Sequence, residues 1–189
     1  MDHRPTVILP IRDFGGLSRL DPVLDSSERS ELSRSLVTQA VTAAHDACLD
    51  IAVLSASDDV ASWADEQSLR MVDDPGGGLS SAAAHAVSIM GGRPWIMLHA
   101  DLPLVTGNAL TCVAAASALS TVLIPSHDGG TNVIASTGPF PFSYGVGSFH
   151  RHFAAAPDAR IIVMPELSID IDTPQQLSVF PGATERPSL

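Results

Sequence analysis

Three aspartates stand where a carboxylate is costly to keep. Asp101 lies directly behind the apolar run Trp95-Ile96-Met97-Leu98, and Asp170 and Asp172 alternate with isoleucine near the end of the 189-residue chain. A carboxylate behind a buried strand is expensive to desolvate unless it is paired or binds a cation. Two like charges on one strand face repel unless a cation sits between them. Each has a plainer explanation: Asp101 as a cap for the loop before Thr106, and the other pair solvated at a sheet edge. Together, three carboxylates converging on one rim favour a hard-metal site. Magnesium suits it, because it uses one or two carboxylates and completes its shell with water and substrate phosphate. Zinc fits less well: the seven histidines show no His-x-x-x-His or Glu-x-x-His pattern. His150 and His152 are an i, i+2 pair whose rings would not meet on a helix, so they read as surface or lid residues.

Two further segments suit anions. Arg12, Gly15, Gly16 and Arg19 have the makings of a phosphate-wrapping loop, with glycines admitting backbone N–H groups and arginines forking onto oxygens. The pattern matches neither the P-loop nor the Rossmann fingerprint, and an ordinary turn before a helix looks much the same. Gly145-Val146-Gly147-Ser148 ahead of a short helix is a second candidate, since helix N-terminal amides attract phosphate or carboxylate; a plain turn is the alternative. No serine sits in a Gly-x-Ser-x-Gly elbow, so no nucleophile stands out.

The elements that must position these residues alternate as short apolar runs and longer helical stretches, the pattern of an α/β domain with a largely parallel sheet. Strands are expected at Val7–Leu9, Ile51–Leu54, near Leu69–Val72, at Trp95–Leu98, at Thr121–Ile124, and near Ile161–Val163 and Ile169–Ile171. Asp25-Ser26-Ser27-Glu28 reads as a capped helix start, followed by Leu32, Leu36, Ala40, Ala44 and Cys48 at fourfold spacing. Further helices are expected around Val60–Ala64, after the Gly76-Gly77-Gly78 turn as far as Gly91-Gly92, from Thr106 to about Leu119, and after Thr173-Pro174. From Ser126 the composition shifts, and Phe140, Phe142, Tyr144, Phe149 and Phe153 read as a packed loop lending bulk to an Ala-rich core. One domain spans residues 1–189, with residues 183–189 expected as a frayed tail. In an open α/β sheet ligands bind beyond the carboxyl ends of the strands; Arg12 to Arg19, Gly76 to Gly78, Asp101 and Asp128 to Asn132 come just after apolar runs, while Asp170 and Asp172 belong to the last expected strand.

Composition narrows the partners. The chain carries 10 Arg and no Lys against 21 Asp and Glu, a formal charge of -11. The scattered arginines form no basic stripe for nucleic acid and no polybasic membrane anchor. No apolar run is long enough to span a bilayer, and residues 1–10 are too short an apolar stretch for a signal peptide, so a cytoplasmic protein is expected. Cys48 and Cys112 fall inside helical patterns without Cys-x-x-Cys spacing and read as buried free thiols.

Taken in order, Leu9-Pro10-Ile11-Arg12 with Leu17-Ser18-Arg19-Leu20, Asp74-Pro75-Gly76-Gly77-Gly78-Leu79, Ala100-Asp101-Leu102-Pro103, Asp128-Gly129-Gly130-Thr131-Asn132, Phe142 to Phe149 and Asp170-Ile171-Asp172-Thr173-Pro174 resemble one family. It comprises the guanylyltransferases that act on 2-phospho-L-lactate or phosphoenolpyruvate in coenzyme F(420) biosynthesis. The resemblance runs from Leu9 to about Leu177 and is most specific in the Asp-Gly-Gly-Thr-Asn and Ser-Tyr-Gly-x-Gly-Ser-Phe segments. It implies a Rossmann-like mixed sheet of the nucleotide-diphospho-sugar transferase (GT-A-like) type, and transfer of GMP from GTP to a phosphorylated three-carbon acid with release of pyrophosphate. It also implies two magnesium ions on Asp101, Asp170 and Asp172, with Arg19 as catalytic cation beside Asp101. Thr131, Gly145 and Ser148 would hold the phospho-acid. Arg12, Gly15, Gly16 and Arg19 would wrap the triphosphate, with Gly77, Gly78 and Ser80 facing the guanine.

Arg12 and Leu17 stand where the family usually has lysines, and Ser80 where an Asn is more usual. Leu17 motivates the alternative of a non-catalytic nucleotide-binding homologue, which the three retained carboxylates oppose. A nucleotidyltransferase for another acceptor, such as a molybdopterin, is the other alternative, opposed by the motifs around Thr131 and Ser148.

Overall fold

The structure is a computed structural model and describes residues 4–180, so the expected tail at 183–189 lies outside the described residues. Its centre is a seven-stranded mixed sheet of order β3-β2-β1-β4-β6-β5-β7. The strands are β1 (Thr6–Pro10), β2 (Asp50–Ser55), β3 (Arg70–Asp73), β4 (Pro94–Leu98), β5 (Val122–Pro125), β6 (Thr131–Thr137) and β7 (Arg160–Ile161). The helices are α1 (Ser26–Asp46), α2 (Asp58–Glu66), α3 (Leu79–Ile89), α4 (Gly107–Ser117), α5 (Ser148–Ala155), α6 (Pro165–Ser168) and α7 (Pro174–Val179). Among the described residues no helix is long and apolar enough to cross a membrane.

Local chemistry explains most boundaries. Asp25 accepts from Ser27 N–H and Glu28 N–H while the Glu28 carboxylate accepts from Asp25 N–H, a complete capping box on α1. Thr106 caps α4, and Thr173 with Pro174 opens α7 through a second capping box closed by Gln176. Strands β1, β2 and β4 read as continuous apolar runs because helices cover both faces of the sheet. One core, built on Val7, Leu9, Val53, Ile96, Leu98 and Val133, lies under α1, α2 and α4. The other, on Ile8, Leu54, Trp95, Met97 and Ile134, lies under α3 and the aromatic segment, where the Trp95 indole N–H donates to Gly138 O at 2.9 Å.

Four expectations are corrected. Thr131–Thr137 is a strand, β6, antiparallel to both β4 and β5, where no strand was expected. Residues 169–171 are not a strand despite their alternation, because no neighbouring strand is there to pair with, and the expected strand over Ile161–Val163 contracts to Arg160–Ile161. Cys48 and Cys112 are exposed free thiols, not buried ones. Cys48 turns outward in the left-handed conformation (φ 54) just past the end of α1, and Cys112 lies on the outward face of α4.

Candidate active site

Strands β1 to β4 run parallel, so the segments that leave their carboxyl ends emerge on one rim. Because β6 runs against β4, its first residue, Thr131, starts on that same rim, beside the residues just after β4: His99 N–H donates to Asn132 O at 3.0 Å. The segment after α6 also reaches it, where Ile171 N–H donates to Asp101 O at 3.0 Å. One reversed strand thus brings the loop leaving β4 and the loop entering β6 side by side.

A cavity of about 540 Å³ opens on this rim, lined among others by Arg12, Gly16, Leu17, Gly78, His99 and Asp101. On its far side three successive glycines, Gly76 to Gly78, hold φ near +85, a conformation that side chains rarely adopt. Gly78 caps α3 without a side chain, so the positive end of α3 faces the cavity. Leu17 also sits in the left-handed region (φ 59), which is strained for a residue carrying a Cβ. Arg12 is almost wholly exposed at the cavity mouth. Of the expected nucleotide residues, Arg12, Gly16 and Gly78 line the cavity, while Gly15, Gly77, Ser80 and Arg19 lie outside its wall. Ser80 Oγ instead accepts from Tyr144 N–H at 2.8 Å, tying α3 to the aromatic segment.

The three aspartates do come together electrostatically. Burial, and next the nearby Asp170, push the Asp101 carboxyl up to about 7. Asp101 Oδ1 is buried without a hydrogen-bond partner among the described residues, and such an atom calls for an explanation. Burial also raises the Asp170 carboxyl. Asp170 accepts from Ser126 Oγ at 3.3 Å and meets His127 Nδ1 at 3.1 Å, while Asp172 pairs with Arg19 at 2.5 Å. No three His, Cys, Asp or Glu side chains among the described residues are grouped so as to hold a metal ion by themselves. The donor chemistry nevertheless fits a hard cation: an orphaned buried carboxylate oxygen with two further carboxylates in electrostatic reach and no soft ligand.

Gln176 organises the last of these groups. Its Oε1 accepts from Asp172 N–H, Thr173 N–H and the Thr173 hydroxyl, which fixes the orientation of the amide. Its Nε2 can then only donate to His127 Nε2, at 2.9 Å, so the neutral imidazole carries its proton on Nδ1 and presents it to Asp170.

The expected acceptor residues Thr131 and Ser148 are nearly fully buried and share a hydrogen bond of 3.3 Å. A β-bulge against β5 at the start of β6 lets Thr131 break alternation with Val133 and turn toward the aromatic segment. Gly145, with φ +120, lies in the loop before α5, which Arg151 clamps by donating to Ser143 O, Ser143 Oγ and Val146 O. His152 is not a surface or lid residue. It is fully buried between Thr131 and Ser143, with Phe140 and Tyr144 edge-on at 5.6 and 5.0 Å, while His150 on the neighbouring face stays exposed. Nearby, His99 Nε2, Asn132 Nδ2 and Tyr144 Oη are buried without hydrogen-bond partners among the described residues, and burial lowers the His99 pKa and raises that of Tyr144. No functional role was expected of His99, His127, Tyr144, His152 or Gln176. For His152 a signal existed: it is four residues from Ser148 and therefore on the same helix face.

A sequence model of the family described as "Guanylyl transferase CofC like" matches residues 5–180. A phosphoenolpyruvate guanylyltransferase of Geodermatophilus obscurus is 34% identical over 164 residues, covering 84% of this chain and 75% of that one. A 2-phospho-L-lactate guanylyltransferase of Methanoregula boonei is 30% identical over 162 residues, covering 83% and 71%. Among solved structures, a candidate nucleotide-diphospho-sugar transferase from Desulfovibrio desulfuricans G20 superposes with a TM-score of 0.78 at 14% identity, covering 97% of this chain and 89% of that one. The fold is therefore that of the nucleotide-diphospho-sugar transferases, as the sequence led us to expect.

Proposed function

The chain belongs to the CofC-like guanylyl transferase family, and on that premise we propose that it transfers GMP from GTP to the phosphate of phosphoenolpyruvate or 2-phospho-L-lactate in coenzyme F(420) biosynthesis. The match over residues 5–180 carries this reading. The shared rim, with the cavity and Asp101 on one side and Thr131 on the other, supports it.

A phosphate monoester carries most of its second charge at neutral pH, because its second pKa is near 6. The acceptor is therefore its own nucleophile, and no general base is required. One of its oxygens attacks the α-phosphorus of GTP, the bond to the β-phosphate breaks, and pyrophosphate leaves with the electron pair. The protein must place that oxygen in line and meet the charge spread over the phosphates. Arg12 at the cavity mouth and the backbone of Gly16 and Gly78 in its wall hold the nucleotide. Ser80, outside the cavity wall, supports this side of the site by accepting from Tyr144 N–H and tying α3 to the aromatic segment. Asp101, Asp170 and Asp172 would hold two magnesium ions, which supply charge neutralisation on the α-phosphate and the departing pyrophosphate. Ser126 and His127 orient Asp170, and Arg19 has to exchange Asp172 for a phosphate oxygen as the substrates enter. Thr131, Gly145 and Ser148 hold the phospho-acid. The same reading places the protein in the cytoplasm with its GTP.

The test is pyrophosphate release from purified protein with Mg²⁺, each of the four nucleoside triphosphates, and phosphoenolpyruvate, 2-phospho-L-lactate or 3-phospho-D-glycerate. Turnover with GTP and one of the first two acids is expected. No turnover with any pair would overturn the assignment and favour a nucleotide-binding protein without catalysis.

A further inference from the structure

His152 is fully buried, and every polar contact of its ring runs to the acceptor side of the site. Ser143 N–H donates to His152 Nε2 at 2.8 Å. A backbone N–H has only a proton to give, so Nε2 must be the bare nitrogen, and the neutral ring carries its hydrogen on Nδ1. Burial, with Arg151 and His99 adding to it, keeps the ring neutral by pushing its pKa down to about 4. Nδ1–H therefore donates to Thr131 Oγ1, at 2.9 Å.

Ser148 Oγ donates to the same Thr131 oxygen from 3.3 Å. A hydroxyl has two lone pairs and one proton. Here both lone pairs receive donors, and among the described residues no protein group accepts the remaining proton. Thr131 is left able to donate and unable to accept. Phe140 and Tyr144, edge-on to the ring, prevent the imidazole from turning to another partner.

We propose that His152 is a positioning residue that commits the Thr131 hydroxyl to donating, so that the acceptor site takes an anionic oxygen and rejects a group that must itself donate. The proposal rests on the guanylyl-transfer reading, which puts Thr131 against the phospho-acid. Buried polar groups that lose their complement discriminate strongly: an anionic oxygen accepts from Thr131, whereas an ammonium, which can only donate, leaves both groups unsatisfied.

Two variants of similar bulk separate positioning from support. In His152→Asn the amide nitrogen takes the place of Nδ1 and still donates to Thr131. In His152→Gln the amide oxygen reaches toward Ser143 N–H and the donor to Thr131 is lost. With GTP and the acid that the wild type uses, His152→Gln should raise the KM for the acid at least roughly tenfold. Its KM for GTP should stay within about twofold, and His152→Asn should recover most of the loss. Equal losses in both variants, or equal changes in both KM values, would mean a merely structural histidine and overturn the proposal.

Nitrogen-15 NMR of histidine-labelled wild-type protein without substrate supplies a readout that needs no activity. The Nδ1–H tautomer is expected at neutral pH, and the Nε2–H tautomer would overturn the proposal. Absence of wild-type turnover would strike the guanylyl-transfer reading and leave the NMR result to decide the hydrogen-bond polarity.

Discussion

Acid should erase the stability advantage of the wild type over His152→Gln by about 2 kcal/mol, and the figure comes from one ring. His152 has no exposed surface, and protonation would put a hydrogen on Nε2 directly facing Ser143 N–H, with Arg151 and His99 nearby. Its pKa is accordingly lowered from 6.5 to about 4 in the fold. A folded state that binds the proton less readily than the unfolded chain gains stability from the neutral ring. That gain is fully present above about pH 6.5 and is lost as pH falls through about 4. At about pH 4.5 the linkage amounts to roughly 2.5 kcal/mol in favour of unfolding, against about 0.2 kcal/mol at neutral pH. The variant has no titrating ring, and every other ionisable group is common to both proteins, including Asp101 and Asp170 with their raised pKa values. Urea denaturation followed by the fluorescence of the buried Trp63 and Trp95, in both proteins at about pH 7.5 and 4.5, measures the difference directly. A stability gap that changes by less than about 0.5 kcal/mol would show that the ring titrates normally, and would refute the hydrogen-bond assignment as well as the magnitude.

Asp101→Asn should lower turnover at least roughly 100-fold, the scale expected when a metal ligand is lost, and wild-type-like kinetics in that variant would remove Asp101 from the site. Ser148→Ala should raise the KM for the acid far more than that for GTP; the reverse pattern would mean that the two pockets have been exchanged. Gly107→Ala tests the packing of α4 against the end of α1. A Cβ there would lie 2.7 Å from Asp46 Cβ, so the variant should lose about 1–3 kcal/mol in urea denaturation, and unchanged stability would show that the two helices can part freely.

How much of this was legible in the sequence depends on whether the deciding contacts are local. The capping boxes of α1 and α7 lie within four residues of chain, and both could be read off the letters. β6 could not. Six of its seven residues are buried, so it shows no alternation, and what makes it a strand is pairing with β4 and β5 on either side. The Ile-Asp-Ile-Asp segment misled in the opposite sense, alternating like a strand while its backbone bonds go to Asp101 O and its side chains to Arg19 and His127. The carboxylates themselves were legible because an isolated charge beside an apolar run is conspicuous. Their partners were not, since His127 and Gln176 meet across 49 residues of chain. The opposite fates of His150 and His152 depend on helix phase, which an i, i+2 spacing shows only once the helix boundaries are known.

The single amide of Gln176 also separates what the sheet needs from what the site needs. The sheet is complete when β7 ends at Ile161, yet Asp170 and Asp172 come later, and the group that fixes them comes later still. The segment carrying Asp170 and Asp172 lies outside the sheet and is anchored instead by Ile171 and Leu177, which pack with Leu20, Leu32 and Leu36. Folding and competence separate at that point: a chain ending before Gln176 would keep the sheet while Asp172 and His127 lost the side chain that joins them. On the proposed reading, competence rests on a side chain that the sheet itself does not need.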